Sequence, residues 1–243
     1  MTLRLLDTFS GIGGFSLAAR WLGGYETVQF VERDPYCRHI LRKHWPDVPI
    51  HDDICTFHPE PGSADVVVGG FPCQDISTAG KQAGIKEGTR SGLFYELMRV
   101  VRLVGPNYVV LENVAAIVSN GLDTVLGEMA AAGYDCEWAC IPASDVGACH
   151  RRDRWWCVAH PHHQRQQERQ PAAIAIGPGR AGWGDAPRWL NPDWRSYLSE
   201  PVLRRGDDGL SNRVHRLRAL GNAVVPQVAM VPLARVLKLE GVA

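Results

Sequence analysis

The sequence lacks the features that mark membrane and secreted proteins. No apolar run approaches the length of a membrane span, and the chain opens on a polar stretch unlike a signal peptide. Its 7 cysteines are an odd number scattered through 243 residues, which excludes a disulfide scaffold and predicts reduced thiols in a cytoplasm-like compartment. No internal repeat occurs. With 45% hydrophobic residues, the chain fits one α/β domain, or one large domain carrying a small one.

A metal centre finds little support in the spacing of cysteine and histidine. Six such residues lie close in sequence without a Cys-x-x-Cys pair: Cys136, Cys140, Cys149, His150, Cys157 and His160. Cys136 and Cys140 alternate with Trp138, as residues on one face of a strand do. We therefore predict no zinc site.

Lysine is missing from residues 148–218, where 13 arginines stand against 7 aspartates and glutamates. The formal net charge of zero therefore hides a local excess of +6, balanced by −6 in the rest of the chain. Arginine makes bidentate contacts to phosphate and to guanine edges, so this basicity indicates a polyanion partner. A solvated arginine-rich surface is the competing interpretation.

Strand-like and helix-like segments alternate over the first 160 residues. The predicted strands are 3–9, 28–32, 66–70 and 108–112, and the predicted helices are 15–22, 35–45 and 93–104. This alternation predicts a mostly parallel sheet with helices on both faces. Residues 136–143 and 154–159 are predicted to form an antiparallel pair at the sheet edge. Residues 226–239 show the pattern of a helix that docks back onto the sheet.

The composition divides the chain into three parts. Residues 1–160 are predicted to be a catalytic and cofactor-binding domain. Residues 161–212 are rich in Gly, Pro, Arg and Trp with little periodicity, which predicts a small loop-rich region. Residues 213–243 are predicted to return to the first domain.

Residues 7–15 (DTFSGIGGF) follow the first strand and open the first helix. Such glycines allow a tight turn and bring a ligand close to backbone N–H groups. Glu32 stands 21 positions after Gly11, where a carboxylate accepts hydrogen bonds from ribose hydroxyls. Asp53-Ile54 is expected to end the third strand, where Asp53 could bind the adenine amino group. The pattern predicts an adenosine-containing cofactor. A dinucleotide and S-adenosylmethionine both remain open, although the absent third glycine of Gly-x-Gly-x-x-Gly disfavours the dinucleotide.

Three further segments supply reacting groups to the same predicted sheet edge. The buried strand 66–70 delivers Cys73 directly after a proline, whose fixed backbone angle stiffens the loop. Glu112 closes the next strand and suits protonation of a ring nitrogen. Arg152 and Arg154 supply positive charge, which lowers the pKa of a nearby thiol. Each has a structural alternative: buried filler for the thiol, a helix cap for the carboxylate and a surface run for the arginines.

Together these motifs resemble the DNA (cytosine-5)-methyltransferases, in the family's order along nearly the whole chain. The matching segments are residues 7–14 (DTFSGIGG), Glu32, Asp53-Ile54, residues 69–74 (GGFPCQ), residues 112–114 (ENV), residues 150–154 (HRRDR) and residues 218–226 (RALGNAVVP). His150 stands where the family usually has Gln.

The resemblance implies a Rossmann-like S-adenosylmethionine-dependent methyltransferase fold with a small loop-rich target recognition domain. It implies that Cys73, Glu112, Arg152 and Arg154 are catalytic: Cys73 attacks C6 of a flipped-out cytosine, Glu112 acts at N3, and the arginines orient the base. S-adenosylmethionine would be the methyl donor and S-adenosylhomocysteine the product. The implied cofactor-binding residues are Phe9, Gly11, Ile12, Gly13, Gly14, Glu32, Arg33, Asp53, Ile54, Gly70, Pro72, Asn222 and Val224.

The resemblance also implies double-stranded DNA as partner, with a loop after Cys73 that closes on it. The implied DNA-contacting residues are Gln74, Ser77, Lys81 and Arg90. Residues 161–212 would read the DNA sequence, and their tryptophans fit a small core better than base-stacking wedges. We expect a monomer in the cytoplasm of a bacterium or phage-infected cell, acting on nucleoid DNA, with a cognate restriction endonuclease as a candidate partner.

Two alternatives stay open. A tRNA cytosine-5 methyltransferase carries the same motif set, but the Cys-Phe-Thr tripeptide of that branch is missing from the recognition region. A catalytically inactive DNA-binding regulator of the same fold is disfavoured, since every expected reacting residue is present.

Overall fold

The protein, described from a computed structural model over residues 1–72, 92–162 and 219–242, is an α/β structure. Strands and helices alternate as the sequence predicts. The strands are β1 (Leu3–Thr8), β2 (Tyr25–Val31), β3 (Ile50–His51), β4 (Val66–Gly70), β5 (Tyr108–Val114), β6 (Tyr134–Pro142) and β7 (Asp153–Pro161). The helices are α1 (Gly14–Leu22), α2 (Pro35–His44), α3 (Leu93–Val104), α4 (Leu122–Ala131) and α5 (Pro226–Leu239).

The seven strands form one sheet in the order β3-β2-β1-β4-β5-β7-β6. All neighbours are parallel except for the pairs made by β7, which alone runs in the opposite direction. Thr8 pairs with Gly69, and Gly70 pairs with Glu112. The carboxyl ends of β1, β4 and β5 therefore meet at one edge of the sheet, which is where open α/β sheets bind their ligands. The Rossmann-like, mostly parallel sheet predicted from the sequence is confirmed.

The predicted antiparallel pair at the sheet edge is also confirmed, although both strands are longer than expected. β7 lies between β5 and β6, so both of its edges are hydrogen-bonded. Its two faces are covered by the two core layers of the protein. Residues 155–160 are consequently all buried, with Trp155 in one core layer and Trp156 in the other. A strand buried on both faces shows no polar alternation that would mark its ends.

Hydrophobic cores flank the sheet on its two faces. Val66 and Val68 belong to the layer that contains α1 and α5, whereas Val67 belongs to the layer that contains α3 and α4. This split follows from the alternation of side chains along a strand. A smaller cluster of Phe30, Leu41 and Trp45 packs α2 against β2.

Helix α5 packs into the first of these layers and is held by polar contacts as well. The Tyr25 hydroxyl donates to the carbonyl oxygen of Leu233 at 2.6 Å, and the Tyr108 hydroxyl donates to Glu240 at 2.9 Å. Arg235 also forms a two-bond ion pair with Glu137. The predicted docking of residues 226–239 onto the sheet is confirmed.

The expectation that no apolar run approaches a membrane span is corrected by this region. Ala219–Leu239, at 21 residues, is long and apolar enough by length and composition to cross a membrane. Eight residues of α5 are buried in the protein core: Val228, Ala229, Met230, Val231, Pro232, Leu233, Val236 and Leu237. The apolar composition is thus accounted for by packing against α1 and the sheet.

Several sequence predictions fall on residues outside the described ranges. These are the candidate catalytic Cys73, the candidate DNA contacts Gln74, Ser77, Lys81 and Arg90, and all of the predicted recognition region beyond His162. The three-part division of the chain therefore stays a prediction.

Candidate active site

The glycine loop (residues 9–14) leaves β1 and enters α1 through left-handed backbone. Phe9 has φ 50°, Gly11 φ 54° and Gly13 φ 87°. A Cβ placed on Gly11 would meet nothing within 4 Å, so one side of this backbone is open to a ligand. At Gly13 a Cβ would instead lie 2.7 Å from the Trp45 ring, so that glycine is required for packing.

Asp7, at the end of β1, fixes the first turn of α1 from within the core. Its fully buried carboxylate accepts hydrogen bonds from the Ser16 hydroxyl at 2.6 Å and the Ser16 N–H at 3.3 Å. Burial raises the pKa of Asp7 to about 7. The sequence pattern includes Asp7 in its first motif but gave it no role. The geometry shows that it ties the glycine loop to the helix.

Glu32 follows β2 and ties the same loop from the other side. Its Oε2 accepts the Gly11 N–H at 2.7 Å, and its Oε1 accepts the Asp34 N–H at 2.6 Å. Burial raises the pKa of Glu32 above its ordinary value, against the lowering effect of these two hydrogen bonds. Each carboxylate oxygen keeps a further lone pair, so Glu32 fits the predicted contact with a ribose. Arg33, the next residue, is exposed.

Asp53 does not end a strand as predicted, because β3 stops at His51. Asp53 instead opens a turn in which its Oδ1 accepts the Cys55 N–H at 3.0 Å, and this hydrogen bond lowers the pKa of Asp53. The neighbouring Ile54 is buried. The two residues still lie after β3 at the ligand-binding edge of the sheet.

Arg99 of α3 holds this turn in place and was missed by the sequence interpretation. Its guanidinium donates to the carbonyl oxygens of Ile54 at 2.6 Å and Phe57 at 2.9 Å, and it pairs with Glu96 at 2.7 Å. The only sequence signal is a charged residue between Met98 and Val100, which are both buried. A charge on a buried face predicts a partner without naming it.

The returning segment (residues 219–225) packs against a glycine of the glycine loop and against the last glycine of β4. A Cβ on Gly14 would lie 2.7 Å from the carbonyl oxygen of Val224, and a Cβ on Gly70 would lie 3.7 Å from a Val224 methyl group. Arg152 donates from Nη2 to the carbonyl oxygens of Gly221 at 2.9 Å and Ala223 at 2.8 Å.

Glu112 is the acidic group of the site. Its Oε1 lies 3.0 Å from Nε of Arg154, and its Oε2 would lie 3.0 Å from a Cβ on Gly70. Burial raises the pKa of Glu112 to about 6, while Arg154 and then Arg152 act in the opposite direction. A carboxyl group with this pKa can hold or release a proton near neutral pH.

The end of β4 is held beside this carboxyl. The buried Asn113 donates from Nδ2 to the carbonyl oxygen of Phe71 at 3.3 Å, and the Phe71 ring packs on Phe94 with centroids 5.0 Å apart. Pro72 follows and is half-buried. Cys73, the next residue in the sequence, lies outside the described residues.

The structure thus brings most of the predicted residues it describes to one sheet edge. Glu112, Arg154, Arg152, Gly70 and Val224 form one group, and the glycine loop with Glu32 lies next to it. Asn222 lies in the same returning segment with its side chain exposed. Within the three described ranges, no group of three or more His, Cys, Asp or Glu side chains is placed to hold a metal ion.

Comparison with known proteins gives a consistent family. The family model for C-5 cytosine-specific DNA methylases matches residues 3–177. Type II methyltransferase M.CviJI of Paramecium bursaria Chlorella virus IL3A is 30% identical over 207 residues, which are 84% of this chain and 55% of that protein. Type II methyltransferase M.HhaI of Haemophilus parahaemolyticus is 32% identical over 160 residues, 64% of this chain and 48% of that protein. The chain thus spans about half the length of these curated relatives.

Solved structures support the fold. A protein described as a DNA modification methyltransferase encoded within an E. coli prophage superposes with a TM-score of 0.54 at 24% identity, covering 68% of this chain and 48% of its own. Spodoptera frugiperda DNMT2 superposes with a TM-score of 0.53 at 19% identity, covering 66% and 50%. The match of the family model over most of the described structure decides the family. The chain belongs to the C-5 cytosine-specific DNA methylases.

Proposed function

We propose that the protein is a DNA (cytosine-5)-methyltransferase that acts on a flipped-out cytosine in a specific site of double-stranded DNA. The observation that carries this proposal is the place where the carboxyl ends of β4 and β5 lie side by side, with Gly70 opposite Glu112. There Gly70 lies against a partly buried Glu112 with a pKa of about 6, and the chain continues through Pro72 to Cys73. A carboxyl that can be protonated beside a thiol is the pairing that attack on an electron-poor ring requires.

The residues next to Glu112 support the proposal that the protein binds S-adenosylmethionine. The backbone at Gly11 is open on one side, Glu32 offers carboxylate lone pairs to ribose hydroxyls, and Asp53 with Ile54 lies at the same edge for the adenine. Phe9, Ile12, Arg33, Gly70, Pro72 and the returning segment are proposed to complete the pocket. When bound, S-adenosylmethionine supplies an electrophilic methyl group for C5 of the cytosine.

The residues of the chain are assigned the remaining chemistry. The Cys73 thiolate would add to C6, while the proton held by Glu112 is donated to N3, so negative charge does not accumulate on the ring. Arg154 would keep Glu112 oriented through the 3.0 Å ion pair. After methylation, loss of the C5 proton to solvent water would allow the C6–sulfur bond to break and release the Cys73 thiolate, and N3 would return its proton to Glu112.

Double-stranded DNA is the proposed partner. The support is the arginine-rich composition of residues 148–218 and the names of the curated relatives, which are type II methyltransferases. Gln74, Ser77, Lys81 and Arg90 are proposed DNA contacts, and residues 161–212 are proposed to select the site. Those relatives also make a cognate restriction endonuclease a candidate partner. Action as a monomer in the cytoplasm is part of the same proposal.

The test is methyl transfer from labelled S-adenosylmethionine to duplex DNA or to tRNA, using the wild-type protein and Cys73→Ser. We expect label in DNA with the wild-type protein only, and cofactor binding in both. Label in tRNA alone would move the function to RNA. Cofactor binding without transfer to any duplex containing all cytosine contexts would indicate an inactive regulator.

A covalent trap tests the role of the thiol more directly. Duplex DNA carrying 5-fluorocytosine at the methylated position should form a stable complex with the wild-type protein, since fluorine cannot leave as the C5 proton does. Mass spectrometry should locate the bond at Cys73. A complex that also forms with Cys73→Ser would remove this thiol from the mechanism.

A further inference from the structure

Arg152 has two unusual features that the proposed reaction does not use. Its backbone is left-handed, with φ 36°, and in the described part of the chain Phe9 is the only other residue besides glycines with positive φ. Its Nη2 is shared between two backbone carbonyl oxygens, those of Gly221 and Ala223, at 2.9 and 2.8 Å. A strained backbone persists only where the surroundings fix it, so these contacts indicate a defined structural task.

The neighbouring arginines of the motif have different partners. Arg154 lies 3.0 Å from Glu112, whereas Arg151 is largely exposed and pairs with Asp153 at 2.9 Å. The sequence pattern treats Arg152 and Arg154 as equivalent groups that orient a base. The structure separates them: Arg154 contacts the acidic group, and Arg152 contacts the backbone of the returning segment, 69 and 71 residues along the chain.

The segment that Arg152 holds packs against two glycine motifs at once. Val224, next to Ala223, places its carbonyl oxygen 2.7 Å from the Cβ position of Gly14 and a methyl group 3.7 Å from that of Gly70. Movement of this backbone by an ångström would therefore change the wall between the glycine loop and the end of β4. The charge of Arg152 is half-buried against these carbonyls, where hydrogen bonds to a charged donor are strongest.

We propose that Arg152 is a positioning residue for the cofactor pocket: it clamps the returning segment over Gly14 and Gly70 and does not contact the target base. The identity of the ligand rests on the proposed function. The clamp itself rests on the contacts described above.

The direct test is cofactor affinity without DNA. Calorimetry with S-adenosylmethionine and S-adenosylhomocysteine is compared for wild type, Arg152→Met and the matched control Arg151→Met. We expect the Kd of both ligands to rise about tenfold or more in Arg152→Met, or about 1.4 kcal/mol, because two hydrogen bonds to a charged group are lost. The control should stay within about twofold. If Arg152→Met binds like the wild type but loses kcat at saturating cofactor, Arg152 orients the base and the proposal is wrong.

Two further measurements test whether Arg152 holds residues 219–225 in place. Amide hydrogen exchange of residues 219–225 should be faster in cofactor-free Arg152→Met than in Arg151→Met. Val224→Ala should also weaken cofactor binding, and the double variant should lose less than the product of the two single effects, since both act through one segment. Unchanged exchange together with multiplicative effects would contradict the clamp.

The test of the clamp does not require methyl transfer to be observed. If Arg152→Met does not fold, Arg152→Lys takes its place, since lysine keeps the charge but cannot reproduce the planar geometry. If the wild type binds neither ligand, the proposed function fails, while faster exchange at 219–225 would still support the clamp. If the wild type binds both ligands but the variants match it in affinity and exchange, only the clamp fails.

Discussion

Replacing Arg154 by methionine should raise the pKa of Glu112 and shift the pH dependence of stability. In the native protein the two groups are 3.0 Å apart, with side chains 24% and 13% exposed. Burial already raises the pKa of Glu112 from an ordinary value of 4.5 to about 6, although Arg154 opposes the shift. Without Arg154 the burial effect is opposed mainly by Arg152, which has the smaller influence.

The size of the shift can be bounded. At an effective dielectric constant of about 20, two unit charges at this distance interact by roughly 5 kcal/mol, and solvent at the partly exposed pair reduces this value. Opposite charges within hydrogen-bonding distance usually move a carboxyl pKa by about 1–3 units. Because Arg152 remains, we expect about 1–2 units, which would place the pKa of Glu112 in the variant at roughly 7–8.

The sign of the effect on stability follows from proton binding. Folded protein binds the Glu112 proton more tightly than unfolded protein, so the free energy of unfolding falls as pH rises from 4.5 through about 6 in the wild type. In Arg154→Met this fall should continue to roughly pH 8 and amount to a further 1.4–3 kcal/mol, at about 1.4 kcal/mol per pKa unit. Urea unfolding at closely spaced pH values from 5 to 9 measures it.

Two controls isolate the pair. Asp7 has a pKa of about 7 and titrates in the same range, so the comparison is repeated in a Glu112→Gln background, where only the Glu112 contribution is removed. Arg4→Met removes an exposed ion pair with Asp65 and should leave the curve above pH 6 unchanged. Parallel stability curves for wild type and Arg154→Met between pH 5 and 9 would refute the reasoning.

Three other substitutions test the pocket. Glu32→Gln should weaken S-adenosylmethionine binding at least tenfold by calorimetry, because the NH2 group of glutamine would replace one of the two oxygens that accept backbone N–H groups. Equal affinity would mean that Glu32 does not bind the cofactor. Arg99→Met should weaken binding several-fold, whereas Arg102→Met, which breaks a surface pair on the same helix, should not. Gly14→Ala should lower stability by about 1–3 kcal/mol through its clash with the returning segment, whereas Gly127→Ala, with open space around it, should be neutral or stabilising in thermal unfolding.

The sequence predicts the sheet well because its buried strands and amphipathic helices are local patterns. Val66–Gly70 and Leu93–Val104 have the predicted bounds, since the strand is a short apolar run that ends in two glycines and the helix is an amphipathic segment between Gly92 and Gly105. β2 begins at Tyr25, three residues before the predicted start, because its first half is only partly buried and lacks an apolar run. Local sequence patterns identify the buried part of a strand, and they miss the part that is exposed to solvent.

The site was predictable in its residue types and less so in its contacts. The sequence predicts that the strand closed by Glu112 lies beside the strand that leads to Cys73, and the parallel pairing of β4 with β5, in which Gly70 lies opposite Glu112, confirms it. The carbonyl partners of Arg99 and Arg152 were not predictable, because they lie 42 to 71 residues away and every residue carries a backbone carbonyl, so residue type does not reveal which one accepts. Asp7 illustrates the same limit, since its burial arises only when α1 packs over β1.

The docking of α5 has a consequence for synthesis of the protein. Tyr25 and Tyr108 form hydrogen bonds to partners 208 and 132 residues further along the chain, so the sheet face that α1 and α5 share stays only partly covered until α5 has been synthesised. The exposed apolar surface of α1, β1 and β4 would then be open to chaperones during translation. Because the returning segment directly precedes α5, the candidate active site is incomplete until residues 219–225 and α5 are both in place. A chain that ends before residue 219 would therefore lack the segment that packs over Gly14 and Gly70.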